Sequence, residues 1–303
     1  MTQHGHYQSG DTEVDCVIKK MGDKNSRIII DGVEELVPTE TVRRASSDLG
    51  CYILPKVPLE LLYRKFRDAT GSKAEQFESI CDALNGRHGA KNATFLSELF
   101  QRSVQHASFY KNVVHPFHPH RSERTRKSDF AKQLPTRLRE LGRVPLGSGS
   151  IRLVDDEVFP FRTEKSCTEL GERATNAGSG GMDLLLRSQE GLPVIGEVKA
   201  NTEQVGPTFA LVQSLMYASQ LATSNQFERL ANHYDEFADL SFDDPAIEIL
   251  IVLESASDCL QKDLEFALEL GQQTQQELAP LIRSIQFVET GSIESSVSLT
   301  AIT

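Results

Sequence analysis

Gly180-Gly-Met-Asp-Leu-Leu-Leu-Arg-Ser-Gln-Glu-Gly-Leu-Pro-Val-Ile-Gly-Glu-Val-Lys199 carries two β-type runs on either side of Gln189-Glu190-Gly191. A three-residue hairpin loop needs a left-handed conformation at its third position, which glycine supplies. A hairpin centred on Glu190 sets Asp183 directly opposite Glu197. Opposed residues project to the same face with Cβ atoms roughly 5 Å apart. The two-residue period of a strand puts Lys199 on that face and turns Val198 toward the core.

Two carboxylates so close repel one another and are costly to bury unless a cation lies between them. A face with two acids, a lysine and a nearby carbonyl suits a hard divalent ion, Mg²⁺ or Mn²⁺, which takes oxygen ligands and keeps several waters. Such an ion binds a phosphate oxygen and a water, and Lys199 favours the deprotonated form of that water; these are the elements of phosphodiester hydrolysis. In Leu211-Val-Gln-Ser-Leu-Met-Tyr-Ala, Gln213 and Tyr217 are four apart on a predicted helix. They therefore share a face and can bind phosphate or orient the lysine.

An acid, then E-x-K on a hairpin, then Q-x-x-x-Y on the next helix resembles the PD-(D/E)xK nuclease superfamily, in its branch with a Q-x-x-x-Y motif. The resemblance covers about residues 160 to 290, and Met182 stands where the family has its proline. It implies a restriction-endonuclease-like α/β core, with Asp183 and Glu197 as metal ligands, Lys199 as the catalytic lysine and the Val198 carbonyl as a further ligand. It also implies an acid on the helix before the hairpin; Glu172 fits best, with Glu169 second. The activity so implied is Mg²⁺-dependent hydrolysis of nucleic acid, DNA favoured over RNA, in a setting such as restriction, antiviral defence or recombination. The alternative is a silent or partner-activated nucleic-acid-binding effector of the same fold.

Outward from the hairpin, the pattern predicts helices over 164–177, 207–223, 225–237 and 257–277 and strands over 247–254 and 282–289. Together these make a mixed sheet flanked by helices. Residues 1 to about 57 read as β-rich, with short runs at Glu13–Lys19, Arg27–Ile30 and Cys51–Leu54. From Pro58 the apolar residues Leu59, Leu62, Tyr63, Phe66 and then Phe77, Ile80, Leu84 recur at helical steps, and Asn92 is placed to cap a further helix. A basic helix spans about 128–142, and Gly147-Ser-Gly-Ser reads as a turn or short linker. The organisation expected is a β-rich then helical region over 1–145, binding substrate or a partner (or a second copy), and a nuclease-like domain over 146–303.

Composition sets the remaining bounds. The 303 residues are 39% hydrophobic and 25% charged, as in water-exposed globular chains. No run has transmembrane length and the N-terminus lacks a secretory pattern, so a cytoplasmic protein with no membrane partner is expected. The five cysteines form no C-x-x-C, which argues against a zinc site or a disulfide framework. The net charge of −11 is unevenly spread. Residues 102–143 hold ten Lys/Arg against three acids, whereas 144–303 hold nine against twenty-five. The basic stretch reads either as a solvated helix or as a surface that tracks a phosphate backbone, with Phe109, Tyr110 and Phe117 available to stack on bases. His115, His118 and His120 lie in a Pro-rich loop without acidic partners and read as surface or phosphate contacts.

Overall fold

The computed structural model describes residues 3–9, 12–20, 25–30, 33–38, 42–45, 52–53, 58–67, 71–84, 92–108, 129–158, 160, 181–201, 205–290, 293 and 297–302. The first six strands are β1 (Gln3–Ser9), β2 (Thr12–Lys20), β3 (Asn25–Ile30), β4 (Val33–Pro38), β5 (Val42–Ala45) and β6 (Tyr52–Ile53). They form one antiparallel sheet in the order β4-β3-β2-β1-β5-β6. Strands β2, β3 and β6 coincide with the β-branched runs of the sequence. Strands β1, β4 and β5 were not read there, because QHGHYQS, VEELVP and VRRA have too little apolar alternation; pairing of their backbones makes them strands.

Helices α1 (Pro58–Arg67), α2 (Lys73–Leu84), α3 (Asn92–Ser108) and α4 (Asp129–Leu141) follow. A second sheet is built from β7 (Arg143–Leu146), β8 (Gly149–Val158), β9 (Met182–Ser188), β10 (Pro193–Lys199), β11 (Ile247–Leu253), β12 (Ile282–Glu289) and β13 (Thr300–Ala301). Between its strands run α5 (Pro207–Leu221), α6 (Ser224–His233) and α7 (Gln261–Leu278). The order is β13-β12-β11-β10-β9-β8-β7, with β10, β11 and β12 parallel and the other neighbours antiparallel. The molecule is thus α/β, with a mixed seven-stranded sheet flanked by helices.

Two successive crossovers, β10 to β11 and β11 to β12, step the same way across the sheet. Crossovers of one hand stepping in one direction place their helices on one face. Residues of α5 and α7 accordingly share a core with Leu185, Ile195, Ile249, Ile251 and Phe287. On the other face Leu184, Leu186, Val194, Val198, Leu250 and Val252 pack against Phe130, Leu134 and Leu138 of α4. Helix α5 is buried along all 15 residues, as expected of a helix apolar all round. The helices of the first half join the same core through Leu59, Tyr63, Phe66, Ile80, Leu84, Leu96 and Phe100. A line drawn between residues 145 and 146 runs through β7, and Gly147 lies in the turn that connects β7 to β8. Among the described residues no helix is long and apolar enough to cross a membrane.

Elements of the second half depart from the sequence reading as well. The helix expected from 257 starts at Gln261, after a 3₁₀ turn at Ala256–Asp258. That expected to 237 stops at His233, before another at Asp235–Phe237. Strands β7 and β8 were not read because β8 carries Asp155-Asp156-Glu157 and a register shift after Leu153, which breaks the alternation that marks a strand. The helix expected over 164–177 lies outside the described residues.

Gly196 in β10 sits against β9 so tightly that a Cβ there would stand 2.8 Å from Leu184 Cβ. Gly196→Ala should therefore lower stability by about 1–3 kcal/mol, read from the urea midpoint; an unchanged midpoint would mean that Leu184 has room to move.

Candidate active site

The β9–β10 hairpin closes as the sequence requires. Ser188 N donates to Leu192 O at 2.9 Å and Gly191 N to Ser188 O at 3.0 Å, with Gly191 at φ +90°. The register pairs Ile195 with Leu185 and Gly196 with Leu184. Extended by one residue, it brings Asp183 abreast of Glu197. The regular ladder stops there, and the Asp183 carboxylate takes over: Val198 N donates to Asp183 Oδ2 at 2.9 Å. A strand residue's N–H and C=O lie on the same edge. The Val198 carbonyl thus faces the edge that Asp183 occupies, while its side chain is buried on the α4 side.

Glu197 and Lys199 point to the α5 side and are 1% and 8% exposed. Lys199 Nζ donates to Glu197 Oε1 at 2.8 Å and to Gln213 Oε1 at 3.4 Å. Its ammonium also lies 5.3 Å from the centre of the Phe209 ring, within reach of a cation–π attraction. Phe209, Gln213 and Tyr217 recur every four residues and form one stripe of α5. The stripe is buried, Tyr217 with it. Glu172 and Glu169 lie outside the described residues, as do His115, His118, His120, Phe109, Tyr110 and Phe117.

The sequence reading missed the contribution of α1. Tyr63 packs on Phe209 with ring centroids 5.1 Å apart. Its phenol is pushed up to about 12, first by burial and then by the fields of Glu197 and Asp183, against those of Lys199 and Arg67; it stays protonated at any physiological pH. Leu59 N donates to Ser103 Oγ at 3.1 Å, which pins the start of α1 to α3. Periodicity marks Tyr63 as an inward residue of a helix, but nothing local says which strand that helix will cover.

A second polar set anchors α5 beside the site. Asp263, at the start of α7, accepts from Thr208 N at 3.1 Å and from Thr208 Oγ1, pairing one of the backbone donors that a helix start leaves open. Burial holds the Asp263 carboxyl above the usual range, against the hydrogen bonds from Thr208. Gly206 is required here, because a Cβ would overlap Asp263 Oδ2. A cavity of about 20 Å³, large enough for a water, lies between Lys199, Lys73, Asn201, Gly206, Asp258 and Asp263.

Residues 109–128 of the basic segment lie outside the described residues. Helix α4, with Lys132, Arg137 and Arg139, packs on the sheet face opposite Glu197 and Lys199. Arg139 pairs with Asp156, and Arg137 with Glu140 at 2.8 Å.

The oxygens that could hold a metal ion here are hard ones: the Asp183 and Glu197 carboxylates and the Val198 carbonyl. Among the described residues no group of three or more His, Cys, Asp or Glu is gathered; Asp183, Glu197 and the Val198 carbonyl would leave a bound ion places for water, phosphate or a further acid. Mg²⁺ commonly binds in this way, through one or two carboxylates and retained waters.

Comparison with protein-family models, with curated proteins and with solved structures gives no match.

Lysine and glutamate are rarely buried unless paired, and removing one partner of a buried pair strands the other charge. Lys199→Met should cost about 3–5 kcal/mol at neutral pH, and adding Glu197→Gln should restore most of that loss in urea denaturation. Equal stability of wild type and Lys199→Met would contradict the pairing.

Proposed function

We propose that the chain is a metal-dependent phosphodiesterase acting on nucleic acid, DNA favoured over RNA, with a restriction-endonuclease-like core of the PD-(D/E)xK type. The observation that carries this reading is the buried cluster of Glu197, Lys199 and Gln213, on the strand face that the hairpin register gives to Asp183. Aliphatic residues in those positions would cost less to bury. A charged, hydrogen-bonded set at the carboxyl end of a parallel strand, where α/β sheets bind ligands, is accounted for better by catalysis than by folding.

In this reading Asp183, Glu197 and the Val198 carbonyl hold Mg²⁺ or Mn²⁺. When bound, the ion neutralises charge on the phosphate and lowers the pKa of a water. Lys199 donates to the attacking water and favours its deprotonated form. Gln213, Phe209 and Glu197 hold the ammonium in place. Tyr217 supports the stripe from one turn further along α5, and Tyr63 backs Phe209. Glu172 retains the role of a further acid.

A second reading is favoured by the burial of Glu197 and Lys199: the site awaits a nucleic acid or a protein partner before turnover. An inert wild-type chain that still binds Mn²⁺ would select it.

Purified protein should cut single- or double-stranded DNA with Mg²⁺ or Mn²⁺ and not with chelator. Lys199→Ala and Asp183→Asn should each lower the rate by about 100-fold or more. Cleavage that persists with chelator, or that neither substitution affects, would overturn the mechanism.

A further inference from the structure

The carboxyl ends of β10, β11 and β12 are crowded with acids. Glu254 accepts from Asn201 N at 2.8 Å and Glu289 from Ala256 N at 3.1 Å, and Asp258 and Asp263 line the cavity beside Lys199. A polyanion approaching this edge meets a repulsive field, and the basic helix α4 lies on the far side of the sheet. Compensating positive charge must come from elsewhere.

Two cations of the first half lie on elements that border the edge. Arg67 ends α1, one helical turn beyond Tyr63 and on the same face, and the Tyr63 ring packs on Phe209 beside the Lys199 ammonium. Lys73 lines the same cavity as Lys199, and its Nζ stands 3.4 Å from Asn201 O, just past the end of β10. Both are held on fixed backbone. Helix α1 is pinned at its start by Ser103. Lys73 opens α2 inside a capping box, in which Ser72 N donates to Glu75 Oε2 at 2.7 Å and Glu75 N to Ser72 Oγ at 3.4 Å. That bonding draws the Glu75 carboxyl below its usual range, so it stays ionised and occupied with the cap. Arg67 is half-buried and Lys73 exposed, which suits cations that meet a ligand arriving from solvent.

We propose that Arg67 and Lys73, at the corner between α1 and α2, hold a backbone phosphate of the nucleic-acid strand next to the one that is cut. This rests on the nuclease reading and gives the helical part of the first half a share of the substrate site. An arginine offers a planar fork to phosphate oxygens and a lysine a point charge. Contacts of this kind fix the register of a strand without reading its sequence.

The test is affinity of the full chain for a fluorescein-labelled single-stranded DNA of about a dozen nucleotides, by fluorescence polarisation with Ca²⁺ in place of Mg²⁺, over a series of salt concentrations. Arg67→Gln and Lys73→Gln should each weaken binding by about tenfold and each flatten the salt dependence by the equivalent of about one phosphate contact. Lys65→Gln, which removes the same charge from an exposed position on α1, should change affinity less than twofold. Thermal melts of the three variants establish that they are folded. Wild-type affinity in both Arg67→Gln and Lys73→Gln, equal losses in all three, or a wild-type chain that does not bind would each overturn the phosphate site. Binding that depends on Arg67 and Lys73 in a chain that never cuts DNA would uphold the phosphate contact and remove the claim that the chain alone cuts the neighbouring phosphate; cleavage with unchanged affinity in the variants would overturn the contact and leave the nuclease reading standing.

Discussion

A one-residue slip in the β9–β10 hairpin would turn Glu197 and Lys199 toward α4 and bring Val198 under α5. Because side chains alternate along a strand, register is all-or-none for which face a residue meets. The loop at Gln189-Glu190-Gly191 fixes that register with a left-handed Gly191 and two backbone hydrogen bonds. The close fit of Gly196 on Leu184 penalises a shifted alternative, since a larger residue in that position could not approach β9. Asp183 completes the hairpin by accepting from Val198 N where the ladder ends. One carboxylate thus terminates the pairing and stands at the edge of the candidate site.

The cluster beneath α5 has a cost that the surrounding helices offset. Taking the Lys199 ammonium and the Glu197 carboxylate out of water is unfavourable by several kcal/mol per ion in general. The 2.8 Å contact, the Gln213 oxygen and the Phe209 ring each return part of it. Their geometry depends on α5 being buried along its length, and on Asp263 meeting the donors at its start. The α1–α3 layer closes over the same core, so the helical part of the first half is structurally continuous with the sheet. The acids at the carboxyl edge and the cations of the α1–α2 corner then determine which ligands can approach.

Much of this was legible from local pattern. The glycine-ended loop, the alternation around it, and the spacing of Gln213 from Tyr217 are readable because strand and helix periods are short-range properties. Lys199 meeting both Glu197 and Gln213 follows from those periods once β10 and α5 are neighbours. Tyr63, Arg67 and Lys73 were not legible as site residues, because their positions depend on how α1 and α2 lie across strands more than a hundred residues away. Where the basic helix α4 docks was not legible for the same reason: charge along the chain does not say on which face of a sheet a helix will lie. Strands β7 and β8 escaped notice where Asp155-Asp156-Glu157 and the shift after Leu153 interrupt the alternation.

The central claim is that Asp183 and Glu197 form an oxygen site for a divalent cation beside Lys199. Titration of the full chain with Mn²⁺, followed by electron paramagnetic resonance, tests it without reference to activity. The expected result is one bound Mn²⁺ per wild-type chain, lost in Asp183→Asn, whose amide oxygen can still accept from Val198 N and so preserve the hairpin. A wild-type chain that binds no Mn²⁺, or an Asp183→Asn chain that binds it as tightly, would contradict the account.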